Sequence, residues 1–271
     1  MSEAACRLRV MSFNIWCDHP RHPAWSQRLP VALSLLRYHR PDVIGGQEFR
    51  LNQLHDLARE LPDYRWIGAG RDDGQEAGEF CPIFYRHERF EATASGTFWL
   101  SPDPDVPGKG WDAACPRVVT WVRLVDRESG CAYTHFNTHF DHFGRRARRE
   151  SARLILERIA ALPDAGAVVV TGDLNCLESW AAYAILTGGG LRDTLRCCHF
   201  PPLGPRKTWG GFLPAKLGSA RLDYIFAGQG VTVWQHAVLT DHGHGDRYPS
   251  DHRPVVAELE IPAHAVHGKS G

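Results

Sequence analysis

Residues 167–175 read AVVVTGDLN, a run with three consecutive valines that ends on a glycine and two polar groups, Asp173 and Asn175. β-branched residues favour the extended chain, and a run without polar alternation is predicted to be a strand buried on both faces. Upstream, 145–162 (RRARRESARLILERIAAL) sets Ala152, Ile155, Leu156 and Ile159 at helical spacing, and a shorter helix is predicted near 180–186. A buried strand between two helices, with polar residues at its carboxyl end, is the unit of an α/β fold. What decides the architecture is how often that unit recurs.

It recurs at the start of the chain. Residues 8–15 (LRVMSFNI) are predicted to be a strand. Residues 25–40 read as a helix with Leu29, Ala32, Leu33 and Leu36 on one stripe and Pro30 in the early turns. The segment 42–46 (DVIGG) is a short buried strand running into Gln47 and Glu48, and 51–61 returns to helical periodicity. The middle is strand-rich, with strands at 80–86, 90–98, 118–125 and 131–138, a hairpin turn at 126–130 and a Pro/Gly/Asp-rich loop at 101–116. After a second long loop at 199–220 come strands at 221–227, 231–239 and 255–261. Two mixed sheets packed face to face with helices outside satisfy this order. The expectation is a four-layer α/β/β/α sandwich, one domain over 1–262 with a flexible tail at 263–271.

Composition narrows the function classes. Of 271 residues, 43% are hydrophobic and 23% charged, which excludes a disordered chain. The 31 Lys+Arg balance 31 Asp+Glu, so nucleic acid, which rewards a basic excess, is a disfavoured partner. None of the eight cysteines forms a C-x-x-C pair, which argues against a zinc ribbon. The amino terminus lacks an apolar signal core, and no run approaches the roughly 20 apolar residues of a membrane span. A reduced, cytoplasmic monomer is expected.

The chemistry gathers at strand ends, where an α/β fold collects its active groups. Asn14 follows the first strand, and Glu48 follows the second. His139 and Asp141 sit in NTHFDH, Asp173 and Asn175 in TGDLN, and Asp251 and His252 in SDHRP, while Asp223 lies in RLDYIF. Singly, each has an ordinary reading: a helix-start Glu, an Asx turn, an ion pair of Asp223 with Arg221, a hydrogen-bonded His. Together they supply the oxygen ligands that Mg²⁺ or Mn²⁺ prefers, with imidazoles left for proton transfer.

The blocks SFNI, GQE, NTHFDH, TGDLN, RLDYIF and SDHRPV, spread over residues 12–256, resemble the endonuclease/exonuclease/phosphatase superfamily in its order. The resemblance implies a deoxyribonuclease-I-like sandwich and a Mg²⁺- or Mn²⁺-dependent phosphoesterase. Glu48 resembles the family's metal-binding glutamate, with Asn14 and Asp251 on the same ion, and His252 the general base held by Asp223. Asp173 and Asn175 resemble the pair that positions water and binds phosphate. His139 resembles a second histidine that stabilises phosphoryl oxygens, and Glu79 a glutamate paired with it. The Phe49-Arg50 pair after Glu48 departs from the abasic-site nucleases.

For the substrate, Arg117 is the expected phosphate contact, joined by Asp141. The loops 101–117, with Lys109 and Trp111, and 199–220, with Arg206, Lys207, Trp209 and Phe212, combine cations and aromatics that suit a phosphate on a flat or sugar-like group. The same tryptophans could instead pin the loops to the sandwich. The arginines of 145–158 could track a nucleic-acid backbone or be the solvated face of an amphipathic helix. The leading expectation is hydrolysis of a small nucleotide, sugar or lipid-head-group ester. The alternatives are a DNA or RNA nuclease, a non-catalytic binding protein on the same fold, and a zinc hydrolase built on His242, His244 and His252.

Overall fold

A computed structural model describes residues 5–21, 23–163, 165–210, 220–245 and 247–263. Phe212 and the tail beyond residue 263 lie outside the described residues. Among the described residues the strands and helices follow in the order β1 Cys6–Asn14, α1 Trp25–His39, β2 Val43–Gln47, α2 Leu51–Glu60, β3 Tyr64–Ile67, β4 Ile83–Arg86, β5 Phe90–Trp99, β6 Val118–Asp126, β7 Ala132–His139, α3 Arg145–Ala161, β8 Ala167–Asp173, α4 Ala181–Gly188, β9 Arg192–Asp193, α5 Thr194–Cys197, β10 Asp223–Ala227, β11 Thr232–Val238 and β12 Val255–Ile261. The strand predicted at 167–171 extends to Asp173 and is buried along its whole length. Three elements escape the sequence pattern: β3, a four-residue strand at a sheet edge, the two-residue β9, and the one-turn helix α5 that follows it.

The strands form two six-stranded sheets, ordered β11-β12-β1-β2-β4-β3 and β5-β6-β7-β8-β10-β9. Each contains a parallel pair, β1 with β2 and β7 with β8, joined through α1 and α3 respectively. Val10, Val43, Ile83, Val122, Val169, Ile225 and Leu259 fill the space between the sheets. Leu33, Leu36, Leu54 and Leu57 pack α1 and α2 on one outer face, and Ala152, Ile155, Ala182 and Leu186 pack α3 and α4 on the other. This is the four-layer sandwich.

Near the carboxyl ends of the central strands the inter-sheet layer turns polar. Gln47 donates Nε2–H to Asn137 Oδ1 at 2.7 Å, Asn137 donates to Gly46 O at 2.6 Å, and the Thr171 hydroxyl donates to Asn137 Oδ1 at 3.0 Å. Buried polar groups persist when they satisfy one another. Gly45 makes this approach feasible, because a Cβ there would stand 2.0 Å from Thr171 Oγ1. The knot locks the two sheets together beneath the site.

Candidate active site

Register places the polar groups. On adjacent strands Asp173 faces His139 on one side and Asp223 on the other, and Asn14 faces Gln47, one residue before Glu48. Glu48 and Asn175 adopt positive φ, 62° and 44°, in the left-handed region that non-glycine residues enter only when surroundings enforce it. Both turns swing a side chain back over the strand ends. The segment carrying His252 is anchored by Ser250, whose hydroxyl donates to Asn14 O at 2.7 Å and accepts from the His252 N–H at 3.1 Å.

Two linked clusters result. In the first, His252 donates Nδ1–H to Asp223 Oδ2 at 2.8 Å, leaving Nε2 3.7 Å from Asp173 Oδ2. In the second, Asn14 Nδ2 bridges the carboxylates, donating to Glu48 Oε1 at 2.9 Å and Asp173 Oδ2 at 3.0 Å, while its Oδ1 accepts from Trp16 N–H. Burial and the neighbouring Glu79 push Glu48 above the usual carboxylate range. Burial and Asp223 push Asp173 up to about 7. Burial opposes a charged His252, yet Asp223 and Asp173 outweigh it and raise its proton affinity well above that of a free imidazole.

His139 is the opposite case. Burial, Arg117 and Arg71 hold it well below its ordinary value, so the ring is neutral, and its Nε2 accepts from Asn175 Nδ2 at 2.9 Å. Glu79, expected beside His139, pairs with Arg71 at 2.6 and 3.2 Å and more loosely with Arg50 at 3.9 Å.

Glu48, Glu79, Arg117, His139, Asp173, Asn175, Trp209, Asp251 and His252 all line one open cleft of ≈ 550 Å³. Asn14 and Asp223 lie buried behind it. Trp111 and Asp141 are not among its lining residues. Asp141 instead accepts from the N–H groups of Ala114, Phe143 and Gly144, fastening the 101–117 loop to the start of α3. Trp209 is both wall and pin, since its backbone bridges to His252 and to Ala220. Sequence reasoning missed Arg71, Cys115, His142, Leu177, Trp180 and Leu222, which complete the lining. His142 closes the NTHFDH block and was legible there, whereas Arg71 sits in a loop without pattern. Of the three histidines of the zinc reading, His252 lines the cleft, whereas neither His242 nor His244 lines it or joins a metal-capable cluster among the described residues.

The donor set suits a hard cation. Glu48, His139 and Asp173 present ligand atoms within 4.8 Å of one another, and both carboxylates are burdened by burial and by neighbouring acids. A cation would relieve that burden. Opposite, Arg71 Nε and Arg117 Nε and Nη1 are buried without a hydrogen-bond partner, donors that an oxyanion would satisfy.

None of the eight cysteines, all of them described, is in a disulfide, and no described helix is long and apolar enough to cross a membrane. Residues 11–252 match the model of the endonuclease/exonuclease/phosphatase family. A family protein from Bacteroides thetaiotaomicron is 36% identical, with 96% of this chain and 99% of that chain covered and a TM-score of 0.90. A mannosyl-6-phosphatase from the same organism is 37% identical over 93% of this chain and 99% of its own, with a TM-score of 0.88. Two Acanthamoeba polyphaga mimivirus proteins are each 26% identical, and the matches span 29% and 59% of their lengths.

Proposed function

The chain belongs to the endonuclease/exonuclease/phosphatase family, a family of phosphoester hydrolases, and on that premise we propose that it is a divalent-metal-dependent phosphatase of small phosphorylated sugars. One observation carries the reading: a His–Asp pair, a buried carboxylate cluster and two arginines with unused donors converge on a single cleft. The likeness to a mannosyl-6-phosphatase over nearly the whole of both chains supports a sugar monoester over a polymer. The balanced charge, 31 cations against 31 acids, supports it too.

Glu48 and Asp173 would hold the cation, Mg²⁺ or Mn²⁺, with Asp251 beside them on the cleft wall. Asn14 positions the two carboxylates through its Nδ2, and its Oδ1, which keeps a second lone pair beside the Trp16 N–H, would be a further oxygen ligand. When bound, the cation offsets negative charge developing on the phosphoryl and leaving oxygens. His252 takes the proton from the attacking water at Nε2, because Asp223 fixes its other nitrogen as a donor and stabilises the imidazolium that forms. Asn175 holds the neutral His139 and the Asp173 carboxylate in register through its side-chain and backbone N–H groups. Arg117 and Arg71 receive the non-bridging oxygens, a preorganised positive wall that costs no reorganisation during reaction. Trp209 and Leu222 offer the sugar a partly apolar face.

A panel of mannose 6-phosphate, p-nitrophenyl phosphate, short oligonucleotides and plasmid, assayed with Mg²⁺ or Mn²⁺, tests the reading. Release of phosphate from the monoesters is expected. Plasmid nicking at enzyme levels that leave the monoesters intact would overturn the sugar-phosphatase reading in favour of a nuclease.

A further inference from the structure

The indole of Trp180 walls the catalytic cleft on one side and, on the other, a neighbouring cavity of ≈ 340 Å³ lined by Arg145, Arg148, Arg149, Ala181 and Ala182. No acidic side chain lines this second cavity. Its base is rigid. Arg148 is 3% exposed, donates Nη1–H to Asp141 O at 2.7 Å, and sets its guanidinium 4.9 Å from the centre of the Trp180 ring. Trp180 itself remains 41% exposed.

The rim is charged and unspent. Arg153 and Arg158, further along α3, each meet an acid, Glu150 and Asp105. Arg145 and Arg149 are exposed, and among the described residues no ion pair or hydrogen bond engages their guanidinium groups. The inward face of α3 is already accounted for by Ala152 and Ile155 in the core, so these arginines are not needed to seat the helix. The amino end of α4, at Ala181, adds its positive dipole to the same cavity. Three guanidinium groups on one face raise the local positive potential, which draws an anion.

We propose that this cavity is a second oxyanion subsite. The substrate reaches past Trp180 and places a further phosphate, sulfate or carboxylate between Arg145 and Arg149 while its scissile phosphate lies in the catalytic cleft. Planar guanidinium forks suit such oxyanions in a bidentate manner. The substrate class is therefore a doubly anionic phosphorylated sugar, a specification that rests on the phosphatase reading above.

The test compares the full chain with Arg145→Gln/Arg149→Gln, with Mg²⁺ present, on mannose 6-phosphate, mannose 1,6-bisphosphate and a doubly phosphorylated mannobiose. At least one doubly anionic substrate is expected to exceed mannose 6-phosphate in kcat/KM by about tenfold or more, and the variant to lose most of that preference through KM. An identical preference in both proteins, or none in the full chain, overturns the subsite. Should mannose 6-phosphate not be hydrolysed at all, the phosphatase reading fails first, and inorganic sulfate titrated calorimetrically then decides the subsite. The double variant is expected to lose one sulfate site, and equal sulfate binding by the two proteins would refute it.

Discussion

His252 Nδ1 lies 2.8 Å from Asp223 Oδ2, and both side chains are almost fully buried, at 6% and 1% exposure. A buried carboxylate at that distance fixes the tautomer and leaves only Nε2 to meet the cleft.

His252→Gln keeps a polar side chain but removes the base, and kcat is expected to fall about 100-fold or more, with KM nearly unchanged. Asp223→Asn should lower kcat by a comparable factor while leaving the fold intact by circular dichroism. Steady-state kinetics on mannose 6-phosphate reads both. Near-normal turnover in either variant would remove the pair from the reaction.

Removal of divalent ions with EDTA is expected to abolish activity, and Mg²⁺ or Mn²⁺, but not Zn²⁺, to restore it. Glu48→Gln should weaken Mn²⁺ binding by roughly tenfold or more in a calorimetric titration, since the remaining carboxylates cannot replace a hard anionic ligand. Unchanged Mn²⁺ affinity would place the ion elsewhere.

The Glu79–Arg71 pair predicts a different phenotype from the one the family resemblance implies. Both side chains are about 15% exposed or less, so Glu79→Gln leaves a largely buried guanidinium with only the half-exposed Asp72 carboxylate, 3.8 Å from its Nε, as counter-charge. A loss of roughly 3 kcal/mol in unfolding free energy is expected, together with a higher KM as Arg71 shifts. If Glu79 instead held His139, kcat would fall with little change in stability.

Acid should destabilise the fold through two histidines far from the chemistry. Burial lowers His135 from 6.5 to about 3, and burial with Arg221 lowers His236 from 6.5 to about 4. The unfolded chain then binds protons that the folded chain refuses. The contribution is intact above pH 6.5 and is lost as pH falls toward the folded values, on the order of 2 kcal/mol each at pH 5. Asp173 and His252, whose proton affinities are raised, act in the opposite sense over the same range, so the histidine contribution is read by difference: His236→Gln should lose less Tm between pH 7 and 5 than the unsubstituted chain. Equal losses in the two proteins would contradict this.

The knot between the sheets has its own test. Gly45→Ala drives a methyl to 2.0 Å from Thr171 Oγ1 and 2.6 Å from Asn137 Oδ1. Overpacking of this kind costs about 2 kcal/mol or more, and denaturant unfolding would read it. A neutral result would mean that the sheets separate easily at that level.

Much of this architecture was legible because strand periodicity and strand-end chemistry coincide. Val168 to Val170 announced a buried strand, and the polar residues behind it fell, through the register of β7, β8 and β10, onto Asp173, His139 and Asp223. What escaped lies where local pattern is silent. Arg71 and Trp180 reach the cleft through loops and a helix start, so only tertiary packing makes them neighbours of Glu79 and Arg148. Asp141 read from sequence as a substrate contact, but an aspartate can equally accept from backbone N–H groups two and three residues on, and Asp141 does so with Phe143 and Gly144. β3 went unread because its four residues gain their strand character from pairing with β4 rather than from alternation.

The account stands most directly on where the ion and the phosphorus meet. A crystal grown with Mn²⁺ and phosphate, measured for Mn anomalous scattering, should place the ion on Glu48 and Asp173, with phosphate between it, His252 Nε2 and Arg117. Manganese bound at Cys115, Asp141 and His142 instead, another metal-capable group among the described residues, would contradict it.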